Sequence, residues 1–135
     1  MNILKGEIFA IENFEGISLV DIKIDDDHFS SLIIETEATK IYIKIGNEIY
    51  MLFKETEISL KNFHDKIIKR KNKFVAEVVA ISKGRILSDI ELNYKNILLN
   101  TIVLTRHLNE LNLKIGDKAV MILRTQEILL SKSET

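Results

Sequence analysis

Apolar and polar residues alternate along several short segments of this chain, with the period of two that is typical of strands with one buried face. The clearest segments are residues 7–11, 20–24, 88–92 and 118–123. Asp25-Asp26-Asp27 and Asn93-Tyr94-Lys95-Asn96 follow two of them and are rich in turn-forming residues, which predicts two hairpins. Because no amphipathic pattern exceeds about three helical turns, we expect only short helices. The pattern therefore predicts an all-β chain.

The strand segments occur twice along the chain. Three blocks of the first copy recur in the second copy at an offset of 70 residues (77 minus 7). The matched blocks are Glu7-Ile8-Phe9-Ala10-Ile11 with Glu77-Val78-Val79-Ala80-Ile81, Lys44-Ile45-Gly46-Asn47 with Lys114-Ile115-Gly116-Asp117, and Glu57-Ile58-Ser59-Leu60 with Glu127-Ile128-Leu129-Leu130. Gly16 and Gly84 match at an offset of 68 (84 minus 16), which predicts a slip of two residues in one loop that a later loop recovers. Repetition in this order predicts a tandem repeat.

Each copy reads as three strands, a short helix or turn, and two further strands. Five short antiparallel strands in about 60 residues suit a small OB-like barrel. We therefore predict a first module at residues 1–60, a basic linker at 61–73 and a second module at 74–135. Because a module of about 60 residues buries too small a share of its surface alone, the two should pack on each other or on partner subunits.

Composition narrows the classes of function. Hydrophobic residues make up 46% and charged residues 29%, as in a globular protein, and the absence of cysteine excludes disulfides, zinc–thiolate sites, iron–sulfur clusters and a cysteine nucleophile. No basic leader followed by an apolar stretch is evident, and no apolar run approaches the length of a membrane span, so we expect a cytoplasmic protein without membrane insertion.

Charge is unevenly distributed although the net charge is −1. Residues 1–60 carry 5 Lys/Arg and 12 Asp/Glu (−7), residues 61–73 carry 6 and 1 (+5), and residues 74–135 carry 8 and 7 (+1). A nucleic-acid-binding barrel needs a basic groove with exposed aromatic residues. The chain has 9 aromatics (6 Phe and 3 Tyr) and one basic strip of 13 residues, which argues against direct nucleic-acid binding.

Both copies resemble the Mop/TOBE family of molybdate- and tungstate-binding modules along their full length. Family modules open with Asn-x-Leu-x-Gly-x-Val, contain Leu-x-Leu-x-x-Gly before the fourth strand, and end with Ile-Lys-Ala-Ser-x-Val-x-Leu. The corresponding stretches are Asn2-Ile3-Leu4-Lys5-Gly6-Glu7-Ile8 and Asn72-Lys73-Phe74-Val75-Ala76-Glu77-Val78 at the start, Ile41-Tyr42-Ile43-Lys44-Ile45-Gly46 and Leu111-Asn112-Leu113-Lys114-Ile115-Gly116 before the fourth strand, and residues 53–60 and 123–130 at the end.

The resemblance implies an oxyanion site made of backbone N–H groups, hydroxyls and basic side chains, at interfaces between modules or subunits. The residues it implies as ligands are Lys54, Thr56, Lys71, Asn72, Arg124 and Thr125. Lys54 and Arg124 occupy the position of the motif's Lys, and Lys71 stands where the family's Ser-Ala-Arg-Asn carries Arg. No further cofactor is implied, the ligand being the oxyanion.

One other interpretation stays open. Glu37, Glu55 and Gln126 stand at positions where the family has Ser, Ala and Ser, so the chain would alternatively be an interaction or dimerisation module that has lost the anion, working with molybdate-transporter components. Asp25-Asp26-Asp27-His28 superficially resembles a metal cluster, but a turn favours Asp for backbone reasons, so no metal site is predicted. No arrangement of catalytic residues is evident, so an enzyme is not expected. Exposed aliphatic residues in both copies predict a homo-oligomer, a dimer or trimer, that uses the first strand of each copy.

Overall fold

The computed structural model describes residues 1–64 and 71–133, in which two five-stranded antiparallel sheets dominate. The first half contains β1 (Asn2–Phe14), β2 (Ile17–Ile24), β3 (Asp27–Ile34), α1 (Glu37–Tyr42), β4 (Glu48–Phe53), a first 3-10 turn (Glu55–Glu57) and β5 (Ser59–Asn62). The second half contains β6 (Lys73–Lys83), β7 (Leu87–Tyr94), β8 (Ile97–Leu104), α2 (Thr105–Leu111), β9 (Lys118–Ile122), a second 3-10 turn (Thr125–Glu127) and β10 (Leu129–Ser131). The predicted all-β fold of two five-stranded units with short helices is confirmed. No helix among the described residues is both long enough and apolar enough to cross a membrane.

The two halves correspond at a constant offset of 70. Strand β7 begins 70 residues after β2 (87 minus 17), and the bulges in β1 and β6 lie between Ile8 and Ala10 and between Val78 and Ala80. The predicted slip of two residues is therefore wrong, and Gly16 corresponds to Ile86. The two hairpins differ in their turns. Two residues join β1 to β2, and Gly16 adopts a φ of +81°, which favours glycine; three residues join β6 to β7, and the Gly84 N–H donates to the Leu87 carbonyl at 2.9 Å.

The last strand of each half completes the sheet of the other half. The sheets have the orders β10-β4-β1-β2-β3 and β5-β9-β6-β7-β8, with Leu130 opposite Met51 and Leu60 opposite Met121. Of the predicted linker at 61–73, residues 61 and 62 thus lie in β5, and residues 65–70 lie outside the described residues. Because of this strand exchange, each five-stranded sheet contains strands from both halves of the chain.

One hydrophobic core runs through both halves. Phe29 of β3 and Phe74 of β6 are buried, with ring centroids 5.4 Å apart, and the buried Tyr94 meets Phe74 edge-on at 4.7 Å. Leu60 of β5 and Ile128, which directly precedes β10, are buried in the same cluster. The junction between the modules is therefore packed as an interior.

The two predicted hairpin turns are confirmed, and they contact each other across the modules. The Tyr94 hydroxyl donates to Asp27 Oδ2 at 2.5 Å, and Lys95 Nζ lies 3.0 Å from Asp25 Oδ2. Burial raises the pKa of the Tyr94 phenol far above its ordinary value, and the hydrogen bond to the Asp27 carboxylate raises this pKa further.

Strand exchange predicts that the two modules unfold together. We expect Leu60→Ala to lower the free energy of unfolding by about 2–5 kcal/mol, because it opens a cavity in the shared core. The loss should appear as one shifted urea transition, whether followed by circular dichroism or by tyrosine fluorescence. Leu98→Ala is the control, since Leu98 is exposed and its loss should cost about 0.5 kcal/mol or less. Two separate transitions in Leu60→Ala would contradict the shared core.

The Tyr94 contact predicts a loss of stability at alkaline pH. Because the pKa of Tyr94 is raised in the folded state, its contribution is complete below about pH 10, where the unfolded phenol is still neutral, and is lost as the pH rises further. The free energy of unfolding should fall by up to about 1.4 kcal/mol per pH unit above that point. Urea titrations from about pH 9 to about pH 11 should show this extra slope in the unsubstituted protein and not in Tyr94→Phe. Parallel slopes in the two proteins would refute the assignment.

Candidate functional site

The predicted ligand residues lie near two related junctions, where the start of each module docks on the third strand of the other. We call the surroundings of Asn72 the second junction: Lys71, Asn72, Ser30, Arg124 and Thr125. The surroundings of Asn2 form the first junction: Met1, Asn2, Asn100, Lys54 and Glu55. Asn72 corresponds to Asn2 at the offset of 70 (72 minus 2), so the two junctions are copies of one arrangement.

At the second junction, Asn72 is buried and fully hydrogen-bonded. Its Oδ1 accepts from the Ser30 N–H at 2.8 Å, and its Nδ2 donates to the Ser30 carbonyl at 3.2 Å and to Thr125 Oγ1 at 3.1 Å. Its backbone N–H donates to the His28 carbonyl at 2.8 Å, and its carbonyl accepts from the Leu123 N–H at 2.9 Å. Asn72 therefore ties β3, β6 and the second 3-10 turn together. Its φ of +63° lies in the left-handed region that Asn tolerates.

Two cations flank Asn72, and each meets a carboxylate. Lys71 Nζ lies 3.1 Å from Asp21 Oδ2, while an Arg124 guanidinium nitrogen lies 2.8 Å from Glu127 Oε1. The Ser30 hydroxyl also donates to Asp21, at 2.6 Å. The side chains of Lys71 and Arg124 are half or more exposed, so these ion pairs contribute little stability and their cations stay accessible to an incoming anion. The structure thus gathers Lys71, Asn72 and Thr125 at one junction, with Arg124 beside them.

The first junction repeats the backbone docking with different charges. Asn2 Nδ2 donates to the Asn100 carbonyl at 2.7 Å, and the Asn100 N–H donates to Asn2 Oδ1 at 2.8 Å. Glu55 occupies the place of Thr125 (125 minus 55 is 70), and its carboxylate accepts from the ammonium group of Met1. This hydrogen bond lowers the pKa of Glu55 below its ordinary value. The first junction therefore carries a carboxylate where the second carries a hydroxyl.

Lys54 lies in a cleft of about 110 Å³ between the two 3-10 turns. Gln126, Glu57 and Glu127 share this cleft with Lys54, and the rest of the wall comes from Met1, Leu52, Phe53 and Leu129. Thr56 is exposed on the first 3-10 turn. Two carboxylates beside one lysine make this cleft unfavourable for a dianion.

Glu37, which the resemblance to the Mop/TOBE motifs places at a hydroxyl position, points into solvent. Its side chain is 95% exposed and lies 3.5 Å from Lys40. The neighbouring Thr36 caps α1: its hydroxyl accepts from the Thr39 N–H at 3.1 Å, and the Thr36 N–H donates to Thr39 Oγ1 at 2.8 Å. A strand rises about 3.3 Å per residue, so Thr36 lies roughly 20 Å along the chain from Ser30. Within one chain the hydroxyls of α1 are therefore not brought to Lys71.

The described residues contain no group of three or more His, Asp or Glu side chains placed to hold a metal ion. The His28 ring instead packs against Phe9, with ring centroids 4.8 Å apart and the planes tilted by 46°.

Comparison with solved structures finds a close match in fold. The chain is similar to the cytoplasmic molybdate-binding protein ModG, crystallised with molybdate bound, at a TM-score of 0.82 and 19% sequence identity, over 96% of this chain and 94% of that one. The chain has the ModG fold. No protein-family model matches it, and no curated protein matches it by sequence.

Several polar residues of the junctions escaped the sequence reasoning. Asp21 and Ser30 contact the predicted ligands Lys71 and Asn72, and Asn100 contacts Asn2. The buried Ser31 donates from its hydroxyl to the Ile128 carbonyl at 2.7 Å. The available signal was the pair Ser30-Ser31, two small polar residues inside an apolar strand. The exchanged strands explain why these residues face the other module.

The contacts of Asn72 predict a large structural cost on its removal. We expect Asn72→Ala to lower the free energy of unfolding by about 2–3 kcal/mol, because buried backbone groups of Ser30 lose their partner. Chemical denaturation measures the change. The control is Asn109→Ala on α2, where the residue is exposed and the change should stay within about 0.5 kcal/mol. Equal losses in the two variants would show that the junction does not depend on Asn72.

Proposed function

We propose that this protein binds a tetrahedral oxyanion, molybdate or tungstate, chiefly at the second junction. The observation that carries the proposal is the gathering of Lys71, Asn72 and Thr125, beside Arg124, at a module junction of the ModG fold. ModG itself is a molybdate-binding protein. A role in cytoplasmic molybdate uptake, storage or sensing, without catalysis, is part of the proposal.

The donor set suits a dianion. Such an ion needs several convergent donors and compensating positive charge before it leaves water. Arg124 offers a planar fork that stays charged, Lys71 offers a mobile ammonium, and Thr125 offers a hydroxyl that accepts a hydrogen bond from Asn72 Nδ2. The carboxylates of Asp21 and Glu127 neutralise these cations in the free protein, so the anion would bind by taking the place of these carboxylates beside the exposed ends of Lys71 and Arg124.

The first junction should bind the anion more weakly. Glu55 replaces the hydroxyl of Thr125, and Glu57 and Glu127 line the cleft with Lys54. A charge of like sign at about 4 Å costs from about 1 kcal/mol in water to about 4 kcal/mol near a protein surface. Lys54 and Thr56 are therefore secondary ligands in this proposal.

Assembly as a dimer or trimer belongs to the same proposal. Thr36 and Thr39 lie roughly 20 Å along β3 from the second junction. A pocket that combines their hydroxyls with Lys71 would thus need two copies of the chain.

The second candidate is an interaction module that retains the fold without the anion, acting beside molybdate-transporter components. The observation that favours it is the pairing of both cations with carboxylates, together with Glu55 at the first junction. This candidate predicts no response to the oxyanion at all.

Calorimetric titration separates the two candidates. We expect molybdate and tungstate to release or absorb heat and to raise the melting temperature, whereas sulfate, which is smaller, should bind much more weakly. Arg124→Glu should weaken molybdate binding at least tenfold, about 1.4 kcal/mol, without changing the oligomeric state. Lys54→Glu is the matched control and should weaken binding less. Absence of heat and of a thermal shift at millimolar molybdate would favour the interaction module.

A further inference from the structure

Asp21 is a mostly enclosed carboxylate at the second junction, and its cation is Lys71. Its Oδ2 lies 3.1 Å from Lys71 Nζ, and its Oδ1 accepts from the Ser30 hydroxyl at 2.6 Å. The side chain of Asp21 is 15% exposed, whereas that of Lys71 is 50% exposed. An enclosed carboxylate depends on its cation, because a charge that is both unpaired and shielded from water is costly.

The charges of the second junction balance in the free protein and do not balance once a dianion is added. Lys71 and Arg124 carry two positive charges, which are matched by the two carboxylates of Asp21 and Glu127. With a dianion beside them, four negative charges would face two positive ones. Repulsion between these groups is strong where little water separates them. Binding of the anion therefore favours the uptake of positive charge at the junction.

Asp21 is better placed than Glu127 to take up that charge as a proton. Its side chain is the more enclosed of the two, since that of Glu127 is 23% exposed. Oδ2 of Asp21 faces Lys71, beside which the anion would bind, while Oδ1 keeps the Ser30 hydroxyl. A proton on Oδ2 removes the repulsion and also turns this oxygen from an acceptor into a hydrogen-bond donor. The protonated acid would thus hold the anion that the carboxylate repels.

We propose that binding of the oxyanion at the second junction is coupled to the uptake of a proton by Asp21, which then becomes a ligand of the anion. This inference rests on the proposed function. The proton comes from the solvent and joins Oδ2 of Asp21, the ammonium group of Lys71 turns from Oδ2 to the anion, and no covalent bond of the protein breaks. Because the free protein holds Asp21 ionised and the complex holds it protonated, the affinity for the anion increases as the pH falls.

Other charged and titratable groups lie on the elements around Asp21. They are Glu7 and Glu12 of β1, Lys23 of β2, His28 of β3, and Arg124 and Glu127 at the second 3-10 turn. Lys23 pairs with Glu7 at 3.3 Å, and His28 lies opposite Lys23 in the sheet. Histidine is the side chain that commonly titrates near neutral pH, so the contribution of His28 has to be measured separately.

Calorimetric titration of the full chain with molybdate counts the protons that are taken up. The titrations run from about pH 6 to about pH 8, where molybdate stays a dianion and a free aspartate stays ionised. Buffers that differ in their ionisation enthalpy give the number of protons bound per anion. We expect uptake of about one proton, together with an affinity that falls as the pH rises, by at most about tenfold per pH unit.

Asp21→Asn imitates the protonated acid, because its amide keeps an oxygen for the Ser30 hydroxyl and offers an N–H donor to the anion. We expect this variant to take up no proton and to bind molybdate equally across the pH range. At about pH 8 it should bind molybdate at least about tenfold more tightly than the unsubstituted protein does. Glu91→Gln is the matched control: Glu91 is the exposed equivalent of Asp21 (91 minus 21 is 70), and its removal should leave the proton uptake unchanged.

The outcomes separate this inference from the proposed function. If the unsubstituted protein binds molybdate without proton uptake and with the same affinity across the pH range, the inference is overturned and the proposed function stands. A pH dependence that persists in Asp21→Asn and disappears in His28→Gln also overturns the inference, because His28 would then take up the proton. Failure to bind molybdate at any pH in this range overturns both.

Discussion

Strands β5 and β10 hydrogen-bond to the opposite module, and the rest of the structure depends on this exchange. A module of about 60 residues buries too little apolar surface to be stable alone, and the chain has no cysteine with which to form a disulfide. Exchange of the fifth strands merges two small cores into one, in which Phe29, Phe74 and Tyr94 pack together. The chain thereby reaches the size of an ordinary domain while keeping the geometry of two barrels.

The exchange also creates the junctions. Because the chain crosses between modules after β4 and after β9, the two 3-10 turns lie beside the third strands of the opposite modules, where Asn2 and Asn72 dock. Because the two modules are repeats of each other, the two junctions have the same backbone contacts. Their side chains differ at equivalent positions, so the junctions differ chemically. Thr125 offers a hydroxyl at one junction and Glu55 a carboxylate at the other, so a duplicated fold carries one junction suited to an anion and one less suited.

The sequence motifs predicted which residue types stand at the ligand positions, but they did not predict which residues these side chains contact. Lys71, Asn72 and Thr125 converge, because Asn72 is placed by β3 of the other module. Lys54, predicted on the same grounds, lies in a cleft with Glu57 and Glu127, which are distant from each other in the sequence. Glu37 stands where the family motif has a residue with a hydroxyl group, yet its side chain faces solvent. Thr36 caps α1, and this directs the side chain of the following residue outward.

The sequence by itself determined the strand pattern, the two hairpin turns, the short helices and the repeat, because alternation, turn propensity and repetition are local or periodic properties. Tertiary structure alone decided three things: which sheet receives each fifth strand, which residues meet at the junctions, and the constant offset of 70 through the first hairpin. An antiparallel strand has the same pattern whether it completes its own sheet or a neighbouring one. Which sheet the strand joins is decided by the total apolar area that becomes buried, and this area is defined only when both modules are packed together.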